Sequence, residues 1–91
     1  MIFVDTNYFL RFLLKDHTVH ENRARKLFED GVEGKVRLCT STIVFFELYW
    51  VLTSFYGKKK TATIDTLEGV LDMVFIMIPE RERLRAALRI F

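Results

Sequence analysis

Two acids fall where chemistry is possible. Asp5 closes the apolar run Ile2-Phe3-Val4 and is followed by Thr6-Asn7. Glu47 sits inside VFFELYW, residues 44–50, with Ile43, Val44, Trp50 and Val51 around it at helical spacing. A helix this apolar is expected to be buried, and an unpaired buried carboxylate is strongly destabilising. An Arg or Lys, a proton, or a metal ion must then offset the charge. If the first two strands are neighbours, Asp5 and Glu47 reach the same sheet edge. Two converging carboxylates make a hard-oxygen site suited to Mg²⁺ or Mn²⁺. Such an ion lowers the pKa of a bound water and steadies a phosphate in transit. Plainer alternatives stand beside this one: Asp5 only caps a helix, and Glu47 pairs with a cation or reaches the rim. An aspartyl-nucleophile phosphatase also opens with a strand and Asp, but it needs a second acid at position 7, where this chain has Asn.

The elements that must position these acids follow from periodicity. Ile2-Phe3-Val4 reads as a buried strand, with Thr6 or Asn7 capping a helix from Tyr8 to about Leu14. Thr18-Val19-His20-Glu21 fits a capping box for a second helix. Its stripe is Ala24, Leu27, Phe28 and Val32, Glu21 is placed to pair with Arg25, and Gly31 and Gly34 supply the stop. Val36 to Cys39 is a second strand, and Ser41 or Thr42 caps a helix running through VFFELYWVLTSFY to Gly57. After the basic turn Lys58-Lys59-Lys60, Thr61 or Thr63 starts a helix with Ile64, Leu67, Leu71 and Val74 on one face. Val74 to Ile78 is a third strand ended by Pro79, and a last helix aligns Leu84, Ala87, Leu88 and Phe91. The order βααβααβα needs crossover connections, which favour a parallel sheet with helices on both faces. At such a sheet, ligands gather at the carboxyl ends of the strands, where Asp5 lies.

Composition narrows the classes. A chain of 91 residues allows one small domain. With 51% hydrophobic residues and a mean hydropathy of +0.14, it is expected to carry surplus apolar surface for a partner chain. No run reaches the roughly 18 apolar residues of a membrane span. The N-terminus lacks a basic signal-peptide start, so a cytoplasmic location is expected. The lone Cys39 reads as a small buried residue, and His17 and His20 have no acid or cysteine arranged with them for zinc. The net charge of +2 permits nucleic-acid binding without requiring it. Lys58, Lys59 and Lys60 are candidate RNA phosphate contacts, as are Arg81, Arg83, Arg85 and Arg89; a solvated turn or helix face is the plainer reading. Helical spacing assigns most of Phe45, Phe46, Tyr49, Trp50 and Phe55 to core or interface, with Tyr56 the exposed exception.

The pattern resembles the PIN-domain family and, within it, the VapC-type toxins. The residues that carry the resemblance are IFVDTNYFLRFL, LCTSTIVFFELYWVLTSFYG, TIDTLEGVLDMV and FIMIPERERLRAAL, in that order. The resemblance implies an α/β/α sandwich on a parallel sheet, here with about three strands. It implies Mg²⁺- or Mn²⁺-dependent endoribonuclease activity, in which a metal-activated water attacks the phosphodiester. It implies an antitoxin protein as partner and a homodimer or higher oligomer. By position, Asp5 and Glu47 become the first and second metal carboxylates, and Thr6, Asn7 and Ser41 fall where the family keeps polar residues around metal or substrate. The helices around Glu47 and Leu67 become its groove and dimer clamp. The family takes a third carboxylate from a segment after the last helix seen here. Residues 1–91 are therefore expected to be a C-terminally truncated PIN-like domain with an exposed first strand and an uncovered Leu84–Phe91 stripe. Glu80 and Glu82 are not expected to substitute, because the resemblance places the third strand at the far sheet edge, two spacings of ~4.8 Å from Asp5. A PIN-fold module that binds antitoxin or RNA without cleaving is the competing reading, since the later acids are absent.

Overall fold

Short apolar runs and longer apolar stripes alternate along the chain, and they fold as strands and helices in that order. The computed structural model describes residues 1–14 and 19–90, Val19 and His20 by their backbone only. The elements are β1 (Ile2–Phe3), α1 (Thr6–Leu14), α2 (Val19–Val32), β2 (Leu38–Cys39), α3 (Thr42–Trp50), a π-helical turn (Val51–Phe55), α4 (Lys60–Leu71), β3 (Ile76–Met77) and α5 (Arg81–Leu88). The chain is thus α/β; its described residues form five α-helices and a parallel sheet of order β1-β2-β3, consistent with an α/β/α sandwich. The register pairs Ile2 with Leu38 and Leu38 with Ile76. The strands are shorter than their apolar runs.

One core joins the layers. Val4, Phe9, Phe28, Leu38, Leu48, Leu67, Leu71 and Ile76 are buried in a single cluster. Phe28 is its aromatic hub, with Phe9 at 5.7 Å, Phe12 at 4.8 Å and Phe75 at 6.2 Å between ring centroids. Leu84 and Leu88 are buried in the same cluster, so these two residues of the last stripe are covered by the chain itself, contrary to expectation. Val32 and Val74 are exposed and drop out of their stripes. Cys39 is half-buried rather than enclosed.

Several local expectations need correction. Asp5, not Thr6 or Asn7, caps α1: its Oδ1 accepts from the Tyr8 N–H at 3.0 Å. Gly31 lies within α2, and a Cβ there would stand 2.7 Å from Leu38 Cδ1, so this glycine lets the helix close onto β2. Gly34, at φ +77°, follows the helix end, where a left-handed residue suits the turn. Neither Thr61 nor Thr63 caps α4; the helix starts at Lys60, and the buried Thr63 hydroxyl donates to the Lys59 carbonyl at 3.0 Å. Glu21 pairs with Arg25 as expected. Thr18, His17, the His20 side chain and Phe91 lie outside the described residues.

Candidate active site

The site begins where β1 and β2 end. Val4 N–H donates to the Cys39 carbonyl at 2.7 Å. The buried Thr40 hydroxyl donates back to the Val4 carbonyl at 2.8 Å. These bonds lock the strand ends immediately before Asp5 and Ser41. Ser41 then caps α3, its Oγ accepting from the Val44 N–H at 3.2 Å. Asp5 caps α1 in the same way, which holds a carboxylate at a helix N-terminus, where the dipole favours negative charge.

Glu47 reaches this edge from the second turn of α3. Its Oε2 accepts a hydrogen bond from the Thr6 hydroxyl at 3.1 Å. Thr6 is buried and adjoins Asp5, so the contact bridges the ends of both strand–helix units. Asp5, Thr6, Asn7, Ser41 and Glu47 all line one cavity of about 750 Å³. The two carboxylates and the three polar residues expected around them therefore share one cavity. Lys58, Lys59 and Lys60 are not part of its lining. They follow Tyr56 at the cavity rim, and Lys60 opens α4.

One premise of the sequence argument is overturned. Glu47 is exposed, not buried. Helix α3 buries Val44, Phe45 and Leu48, while Ile43, Phe46, Glu47 and Trp50 face outward. An all-apolar helix offers no polar face by which to choose its buried side. Glu47 is tolerated because it sits at the wet edge of a cleft, and its charge needs no buried counter-ion. The aromatic assignment changes for the same reason: Phe45 is core, Tyr49 half-buried, and Phe46, Trp50 and Phe55 exposed, together with Tyr56.

Two features were not visible in the sequence. Thr40 carries no signal in the sequence, yet its hydroxyl ties the two strand ends. The π turn interrupts what looks like one continuous helix.

The donors lining the cavity are oxygen atoms of carboxylates, hydroxyls and the Asn7 side-chain amide, the set that hard divalent ions take. The donor chemistry fits Mg²⁺ or Mn²⁺, with Asp5 and Glu47 as its charged members. Among the described residues, no group of three or more His, Cys, Asp or Glu side chains is placed to hold a metal. The model of the PIN domain family matches residues 2–91. The chain belongs to the PIN-domain family. PIN domains are generally nucleases and typically use divalent metal ions; they bind RNA and often antitoxins. No curated protein and no solved structure matches this PIN domain. Among its described residues, no helix is long and apolar enough to cross a membrane.

Proposed function

We propose that this PIN domain is a Mg²⁺- or Mn²⁺-dependent endoribonuclease of the cytoplasm and the toxin of a VapBC-type toxin–antitoxin pair. The observation that carries the proposal is the Thr6–Glu47 hydrogen bond, which sets a second carboxylate on the cavity that Asp5 already lines. The location adds support, since carboxyl ends of parallel strands are where α/β proteins hold ligands. In this reading Asp5 and Glu47 bind the ion, and bound there it supplies a nucleophilic water and offsets phosphate charge. Thr6 orients Glu47 by donating to Oε2, which leaves Oε1 for a further ligand. The Tyr8 N–H likewise holds Asp5 through Oδ1. Asn7 and Ser41 place an amide and a hydroxyl beside the substrate phosphate, and Lys58 to Lys60 meet the RNA strand beyond the cavity.

The test is cleavage of a labelled single-stranded RNA. Cleavage is expected with Mg²⁺ or Mn²⁺ and none in EDTA. Cleavage that persists in EDTA and ignores added metal rules the mechanism out.

A second reading keeps the fold and the binding surface without the chemistry. The observation favouring it is the absence, among the described residues, of any cluster of three or more metal-ligating side chains. Calorimetric titration with Mn²⁺ separates the two: binding supports the nuclease, and no heat at millimolar metal supports the binding module.

The protein partners proposed are an antitoxin and a second copy. Ile2 and Phe3 on the edge strand, Phe46, Val74 and Met77 are all exposed, and an open strand edge with apolar side chains invites pairing with another chain. Light scattering during size exclusion is expected to return the mass of a dimer or higher oligomer. A monomer at every concentration sampled refutes self-association.

A further inference from the structure

The cavity that gathers Asp5 and Glu47 has a second wall, and that wall is aromatic. Trp50, Phe55 and Tyr56 line it at 68%, 79% and 49% exposure. Large rings so uncovered beside a polar site are uncommon. We propose that Trp50, with Phe55 and Tyr56, forms a stacking shelf for an unpaired nucleobase next to the phosphodiester held at Asp5 and Glu47. For its ligand class the proposal rests on the nuclease reading; for its geometry it rests on the shelf alone.

The π turn is the first support. At about 100° per residue, an unbroken α-helix would set Tyr56 ~180° around the axis from Glu47, out of reach of the cavity. The wider i→i+5 turn advances less per residue, and over Val51–Phe55 it turns the following side chains back by roughly a quarter turn. Both Phe55 and Tyr56 line the cavity with Glu47. The Tyr56 N–H donates to the Val51 carbonyl at 3.1 Å, the bond that marks the wide turn. Thr53 holds the turn by donating its hydroxyl to the Tyr49 carbonyl at 2.8 Å. π turns are rare and recur at functional sites, and here the turn brings Tyr56 to the candidate site beside Phe55.

Ring order and charge supply the rest. Phe55 and Tyr56 pack edge to face, 5.0 Å between centroids at 71°, so each ring supports the other beside the cavity. Lys58 and Lys59 follow within the next turn of chain. Rings beside a basic track are the combination that binds single-stranded nucleic acid, with bases on the rings and phosphates along the cations. The carboxylate end alone would repel a phosphate, and the shelf gives the strand a second point of attachment that needs no cation. A base inside a duplex cannot reach such a shelf, because both its faces are already stacked.

Trp50 is the sole tryptophan of the sequence, so its emission reports on the shelf directly. The experiment titrates the whole chain with a short oligouridylate in EDTA, where no cleavage intervenes. Saturable quenching of Trp50 is expected, with little quenching by an RNA duplex of equal length. By anisotropy of labelled oligouridylate, Trp50→Ala is expected to weaken binding roughly 5- to 150-fold, and Trp50→Phe to restore most of it. Tyr56→Ala should act in the same direction with the fold intact by circular dichroism. Equal quenching by duplex, or a Trp50→Ala variant that binds like the parent, overturns the shelf. So does an emission that shifts on protein dilution and ignores RNA, which would assign the wall to a second copy of the chain. Cleavage without quenching removes the shelf and leaves the nuclease; quenching without cleavage does the reverse.

Discussion

Asp5→Asn and Glu47→Gln are each expected to reduce metal-dependent RNA cleavage by roughly 10³-fold or more, with the unfolding midpoint nearly unchanged. The size follows from the several kcal/mol of transition-state stabilisation that a bound divalent ion contributes, each ~1.4 kcal/mol being a factor of ten in rate. The preserved stability follows from the contacts. An asparagine in place of Asp5 keeps an oxygen to accept from the Tyr8 N–H, and Asn is as good a helix cap as Asp. A glutamine in place of Glu47 keeps an oxygen for the Thr6 hydroxyl, and the site is exposed, so no buried group is stranded. Both variants should also lose Mn²⁺ binding in calorimetry. Cleavage by either variant at the parent rate would mean that these carboxylates do not carry the reaction. Loss of activity in step with loss of folded protein would make them structural.

A large effect on stability is expected at Arg81, which does not line the cavity. Its guanidinium donates to the carbonyls of Leu71 and Ile76, and to that of Met73 at 3.3 Å. One side chain thus satisfies the C-terminal end of α4 and the backbone of β3, and it ties both to the start of α5. A planar fork with several donors suits this task, and its charge complements the helix C-terminus. Arg81→Ala withdraws the guanidinium from three half-buried carbonyls, of which that of Met73 keeps the Ile76 N–H at 3.1 Å and that of Leu71 keeps Arg85 at 3.4 Å, so the expected cost is about 1–3 kcal/mol in all. In a domain this small that amounts to a drop of order 10–20 °C in the midpoint. Arg81→Lys keeps the charge but not the fork, and is expected to recover only part. Arg83 meets Glu80 at the exposed surface, and Arg83→Ala should change stability by less than ~0.5 kcal/mol. Scanning calorimetry of the three variants checks the order. An Arg81→Ala midpoint equal to that of Arg83→Ala would show that water replaces the guanidinium without loss.

Local rules carried much of this fold. Apolar runs broken by cap residues yielded the order of strands and helices, because a strand end followed by Asp or Ser is a helix start with few alternatives. The parallel sheet followed from that order, since strands separated by helices are joined by crossovers. The position of Asp5 at a strand's carboxyl end, the Ser41 cap and the Glu21–Arg25 pair needed nothing beyond neighbours in sequence. The convergence of Asp5 and Glu47 on one edge needed only the adjacency of the first two strands, which the β1–β2 pairing supplies.

Other features belong to the tertiary structure alone. The outward face of α3 is one: its residues are apolar on every side, so only packing of Val44, Phe45 and Leu48 against the core leaves Glu47 and Trp50 outside. The close approach of Gly31 to Leu38, and the reach of Arg81 across three carbonyls, depend on where distant segments come to rest. The π turn is another, for no residue type encodes an extra residue per turn. Periodicity records how side chains repeat along one element. Which repeat meets which, and at what angle, is set by long-range burial, and that is what brought aromatic rings to the edge where two acids stand.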